Sequence, residues 1–155
     1  MKKIELGQSF QILGNLGVII GILLLVYELN QNRDLMVAQT RNSIAQSQAA
    51  LIHNEALSED MAGISRKAFA GESLTPNEEG RFILNWTAYF GLWENIYFQY
   101  QNGLFSDEEY RARRQSWRRL FSEKPIRDLW CSRRTERAEQ FNADINEFLG
   151  EDRCE

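Results

Sequence analysis

The residues able to do chemistry are few. The chain of 155 residues has a single histidine, His53, and two cysteines, Cys131 and Cys154. One imidazole excludes histidine-pair chemistry and multi-histidine metal sites. His53 with Glu55 supplies two ligands where a stable metal site needs three or four, so His53 reads as a surface side chain. Serine or cysteine nucleophiles would both need that same histidine as base, and neither cysteine stands in a nucleophile motif. The glycines beyond residue 60 (Gly63, Gly71, Gly80, Gly91, Gly103 and Gly150) are too scattered for a phosphate-cradling loop. No metal, cofactor or catalytic residue is therefore assigned. Whether the chain is an enzyme is left open, with absence of catalysis the favoured side.

The carboxylate that invites attention is Glu94. It lies on a stretch where Phe82, Trp86, Tyr89, Phe90, Trp93, Tyr97 and Tyr100 recur at helical spacing, with Phe90 and Phe98 one turn to either side of it. A carboxylate on the flank of an aromatic face needs a cation or hydrogen-bond donors. Arg114 shares a face with Trp117 and Phe121, and Arg118 follows one turn later. Glu94 is expected to pair with Arg114 or Arg118. The pair serves helix register in one reading and contacts a ligand in another. The aromatic face of Trp86, Tyr89, Trp93, Tyr97 and Trp117 is expected to be core, with a ligand pocket as its alternative.

Between Arg111 and Arg137 stand ten Lys or Arg against three acids, while the whole chain carries net charge −4. Such asymmetry points to internal pairing with the acidic turns at Glu78-Glu79 and Asp107-Glu108-Glu109, or to anionic lipid or an acidic protein at Arg111–Arg137. Nucleic acid is the least favoured partner, because no recognised binding motif accompanies the arginines.

Behind these residues stand the elements that must hold them. Ile12 to Leu29 reads ILGNLGVIIGILLLVYEL, with no charge from Leu16 to Tyr27. As a helix its 18 residues span about 27 Å, close to the hydrocarbon thickness of a bilayer. Phe10 and Tyr27 suit the two interfaces. The run is long for a signal peptide and lacks a small-residue cleavage site after Val26, and its apolar residues cover the whole circumference, unlike a surface helix. The lipid bilayer is thus the first expected partner. Gly14, Gly17 and Gly21 offer a surface for close helix packing, hence self-association or docking on a membrane complex. Lys2 and Lys3 on one flank balance Arg33 and Arg41 on the other, which leaves topology open. Reduced cysteines favour the cytoplasmic side slightly, although Cys131 and Cys154 can pair in an oxidising space.

The remainder reads as helix throughout, without strand-like alternation. Residues 30–57 form an expected extension with an apolar stripe at Val37-Ala38, Ile44-Ala45 and Leu51-Ile52. Ser58 can cap a short helix ending near Gly71. Thr75-Pro76-Asn77-Glu78 and Ser106-Asp107-Glu108-Glu109 are capping-box starts, the first for a helix to about Gln101 and the second for one to about Ser122. Pro125 opens another helix, and Phe141, Ile145 and Phe148 mark a last one ending at Gly150.

Two stretches carry a likeness. One is the membrane exit Val26-Tyr27-Glu28-Leu29-Asn30-Gln31-Asn32-Arg33 with Ala38-Gln39-Thr40. The other is Tyr89-Phe90-Gly91-Leu92-Trp93-Glu94-Asn95-Ile96-Tyr97, followed by Gln99-Tyr100, Gly103-Leu104-Phe105 and a downstream Trp117. Together they resemble a group of uncharacterised bacterial proteins with a single N-terminal membrane helix, from which this chain departs by Glu28. The resemblance implies an anchor-plus-bundle layout in a bacterial inner membrane and no activity.

The expected protein is therefore all-α. It has an N-terminal flank (1–11), one transmembrane helix (12–29), an extension (30–57) and a small helical bundle (58–155). The favoured function is that of a non-catalytic accessory or interaction protein. The alternative is a binding module for a small apolar ligand in the aromatic bundle, with Glu94 and Arg114 as polar contacts. An enzyme using Glu94 is the weakest reading.

Overall fold

A computed structural model describes residues 6–150 and 154. Lys2 and Lys3 lie outside the described residues. Those described form six α-helices and one short 3-10 turn, and none is in a strand. Contacts divide the chain into two units, Met1–Gln39 and Thr40–Glu155.

The described residues of the first unit form one helix, the leading part of α1 (Leu6–Leu57). From Gly7 to Leu29 every side chain is exposed, including Ile19, Leu23 and Val26. An 18-residue window of this helix is long and apolar enough to cross a membrane, and none of it is buried. From Val18 to Val26 its circumference is apolar, with no polar face of the kind a surface helix carries. A Cβ placed at Gly14, Gly17 or Gly21 would meet no atom within 4 Å.

The second unit begins at Thr40 and holds the trailing residues of α1 together with the other helices. Ile44 is nearly fully buried and Leu51 packs partly on the core, as the seven-residue stripe implies. Three of the five further helices start where a side-chain cap dictates. Ser58 caps α2 (Glu59–Ala70) by accepting from the Met61 N–H, and Gly71 ends it at φ +72°, a conformation that costs glycine little. Thr75 and Glu78 form a reciprocal capping box at the start of α3 (Pro76–Gln101). Ser106 and Glu109 do the same for α4 (Asp107–Leu120). Then follow α5 (Lys124–Arg133), the 3-10 turn (Arg134–Glu136) and α6 (Glu139–Leu149).

The core gathers on α3. Phe82, Trp86, Phe90, Trp93, Ile96 and Tyr97 are buried along it. Phe121, Ile126, Trp130, Phe141 and Ile145, from the end of α4, α5 and α6, are wholly inaccessible. Their rings meet edge-on or stacked, as Phe90 on Trp130 at 5.3 Å and Trp93 on Trp117 at 5.3 Å between centroids. Such pairs add about 0.5–1.5 kcal/mol each beyond the area they bury. Cys131 of α5 is disulfide-bonded to Cys154, with 5.3 Å between their Cα atoms.

Candidate functional site

Glu94 has a different partner from the expected ones. Its Oε2 accepts from Arg137 Nη1 at 3.1 Å, and its Oε1 accepts from the Ala138 N–H at 2.8 Å. Arg137 Nη2 donates to the Thr87 carbonyl at 3.0 Å. Both side chains are largely buried, with 19% of Glu94 and 14% of Arg137 exposed. The guanidinium crosses α3 at Gly91, where a Cβ would stand 3.4 Å from Nη1. Glu94 thus satisfies a free N–H at the start of α6 and neutralises Arg137, tying α3 to the α5–α6 connection.

Arg114 serves another cluster. Its Nη2 donates to Glu147 Oε2 at 2.8 Å and to the Asp144 carbonyl at 3.0 Å, while its Nε stands 3.3 Å from Asp144 Oδ2. Tyr110 donates its hydroxyl to the same Asp144 carboxylate at 2.6 Å and stacks on Tyr100 at 4.1 Å. Burial raises Asp144 against the opposing pull of Tyr110 and Arg114, and burial with Asp144 raises the Tyr110 phenol. Arg118 is exposed and pairs with no acid among the described residues. Glu94, Arg114 and Arg118 therefore do not form one site.

The arginine-rich segment is neutralised in part, though not by the acidic turns. Arg114 and Arg137 use Asp144, Glu147 and Glu94, and Lys124 and Arg133 use Asp128 and Glu136 nearby. Glu78 instead takes Lys67 at 2.6 Å, and Glu109 takes Arg41. The hydrogen bonds from Lys67 and Thr75 hold the Glu78 carboxyl down at about 2.

The aromatic face does enclose space. A cleft of about 380 Å³ opens between the trailing part of α1 and helices α2, α3 and α4. Trp86, Tyr89, Trp93 and Trp117 line it, with Leu92, Ile96, Ile52, Phe69 and Leu120 as further apolar wall. Trp86 lies 5.1 Å from Tyr89 and 6.3 Å from Trp93 between ring centroids. The Trp86 Nε1 is buried with no hydrogen-bond partner among the described residues. Tyr97, the fifth member of the expected face, is buried against Tyr110 and Phe141 instead.

Of the polar groups of the cleft, the sequence marks only Glu55, and that as a possible metal ligand beside His53. Glu55 accepts from Ser65 Oγ at 2.7 Å, from Tyr89 OH at 3.3 Å and from Asn85 Nδ2 at 3.4 Å. Burial and the Glu55 charge beside it push the Tyr89 phenol up to about 12. Arg113 donates from Nη1 to Gln48 Oε1 at 2.5 Å. Gln48 and Glu55 continue the face of Ile44 and Leu51 at four- and three-residue steps, a sign that they turn inward with the stripe.

His53 is exposed, and no cluster of three or more metal-ligating side chains occurs among the described residues. No family model matches the chain, and neither a curated protein nor a solved structure matches it.

Proposed function

We propose that this protein is a membrane-anchored helical bundle that binds a small, largely apolar ligand in its aromatic cleft. The observation that carries the reading is the cleft itself. Three tryptophans and a tyrosine line about 380 Å³, and few polar groups accompany them. That volume and lining suit small-molecule sites. Glu55, Arg113 and Gln48 replace Glu94 and Arg114 as the polar contacts of this reading. The test is calorimetric titration of the full chain, in a non-ionic detergent, with neutral para-xylene, and with Ser116→Phe as a variant that fills the cleft. Saturable heat in the parent and none in the variant is the expected result. Absence of saturable binding in the parent, by para-xylene and by its charged para-substituted analogues alike, refutes the reading.

The anchor in this reading is the apolar part of α1, and the resemblance of its exit sequence supports a bacterial inner membrane as its place. The Cys131–Cys154 disulfide supports a bundle on the oxidising side, with Lys2 and Lys3 on the cytoplasmic flank. Membrane-impermeant maleimide applied to intact cells after mild reduction should label both cysteines. Labelling only after lysis overturns this topology.

A second reading is the accessory one, in which α1 associates with a second copy or with a membrane complex. It is favoured by the open surface at Gly14, Gly17 and Gly21, where two backbones can approach closely. Substituting Gly17 by Ile should then abolish cross-linking between copies or copurification of a partner. Anionic lipid or an acidic protein at Arg118 and Arg119 belongs to the same reading and predicts binding that weakens with salt.

A further inference from the structure

The charges in the cleft are unbalanced in a way that defines its occupant more narrowly, on the premise that the cleft binds a small molecule. Glu55 is a carboxylate met only by neutral donors, Ser65, Asn85 and Tyr89. Arg113 is a guanidinium met by the neutral amide of Gln48. Among the described residues neither makes an ion pair, whereas Glu94, Arg137, Arg114 and Asp144 all do. Both are half-buried beside apolar residues of the cleft, where a counter-charge is worth more than in water. They also stand at different ends. Arg113 is held at Gln48, and Glu55 lies seven residues further along α1, about 10 Å by the helical rise. Trp86, Trp93 and Trp117 line the same cleft. Trp86 and Tyr89 flank the carboxylate end, where aromatic faces attract an organic cation.

We infer that the cleft takes a zwitterion with a flat apolar middle, its cationic end on Glu55 among the aromatic rings and its anionic end on Arg113. Each end of such a ligand supplies the charge its neighbour lacks. The middle replaces water along Trp93 and Trp117. A ligand with one charge leaves the other side chain as it is in the empty cleft, and a neutral ligand leaves both.

The test compares four probes built on one benzene ring by calorimetry on the full chain in a non-ionic detergent. They are para-(trimethylammoniomethyl)benzoate, benzyltrimethylammonium, para-toluate and neutral para-xylene. The zwitterion should bind at least about tenfold tighter than any other, a difference of about 1.4 kcal/mol. Glu55→Gln should bring the zwitterion down to the affinity of para-toluate and leave para-toluate unchanged. Arg113→Gln should bring it down to benzyltrimethylammonium and leave that probe unchanged. Equal binding of all four by the parent protein overturns the inference while the small-ligand reading stands. Binding of none overturns both. The parent comparison decides the matter even where a variant fails to fold.

Discussion

Removing the Glu94 carboxylate should cost the bundle about 3 kcal/mol. Breaking a buried ion pair by deleting one partner costs about 3–5 kcal/mol, because the remaining charge is stranded. Here 14% of Arg137 stays exposed, which lets water recover part of that loss and sets the expectation at the low end. The lost bond to the Ala138 N–H is contained in the same figure, since an orphaned helix start costs about 1 kcal/mol. For a body of this size a loss of 3 kcal/mol lowers the midpoint of unfolding by roughly 10–15 °C. Glu94→Gln keeps an acceptor for the N–H and should cost about half as much. Arg137→Met leaves Glu94 its bond to Ala138 and should also cost less than Glu94→Ala. In Glu94→Gln with Arg137→Met the two effects should fall short of additivity by about 1–2 kcal/mol. Near-UV circular dichroism of the full chain in detergent follows the aromatic core during heating. A Glu94→Ala midpoint within about 2 °C of the parent, or strictly additive single variants, would refute the clasp as a source of stability.

Three other outcomes follow from the same structure. Reducing the Cys131–Cys154 bond, or replacing both by serine, frees a loop of separation 23 and should cost about 3 kcal/mol by loop entropy, read as a lower melting midpoint with reductant. Glu78, at about 2, and Glu109, also lowered, bind protons more weakly folded than unfolded, so their stabilisation is complete above the ordinary carboxylate range and fades as pH falls through it toward 2. Glu78→Gln should flatten that acid limb in melts taken across the range, and an unchanged slope would count against the capping-box account. Leu23→Arg with Ile20→Arg places two charges near the middle of the apolar run, each costing about 2.5–3.5 kcal/mol in a bilayer. Alkaline carbonate should then release the variant from membranes that retain the parent.

Local signals made most of the helices readable. Thr75 with Glu78 and Ser106 with Glu109 are capping boxes written in four consecutive residues, and both form. Gly71 ends α2 in the left-handed region for the same short-range reason. The aromatic stripe announced α3 because its period belongs to one helix. What crosses between helices was less legible. Glu94 plainly needed a cation, but spacing ranks neighbours along a helix and does not say which helix passes nearby. Arg137, 43 residues away, wins because it sits on a connection that folds back over Gly91. Arg114 is claimed by Asp144 and Glu147, residues on α6 whose approach no local pattern reveals. The cleft was half visible. Its four aromatic side chains share recognisable faces of α3 and α4, whereas Gln48, Glu55 and Arg113 become its polar ends only when α1 lies against both. The disulfide depended on bringing a residue near the C-terminus beside α5, which sequence spacing leaves open.

The tryptophans give the protein an optical character of its own. Trp93 and Trp117 stack at 5.3 Å with planes 19° apart, and Trp86 stands 6.3 Å from Trp93. Such separations fall within the range over which neighbouring indoles transfer excitation. Trp130 is fully shielded and lines no part of it. A ligand held there, as proposed, would meet three of the four indoles directly and reach the fourth only through Phe90, which lies 5.5 Å from Trp93 and 5.3 Å from Trp130.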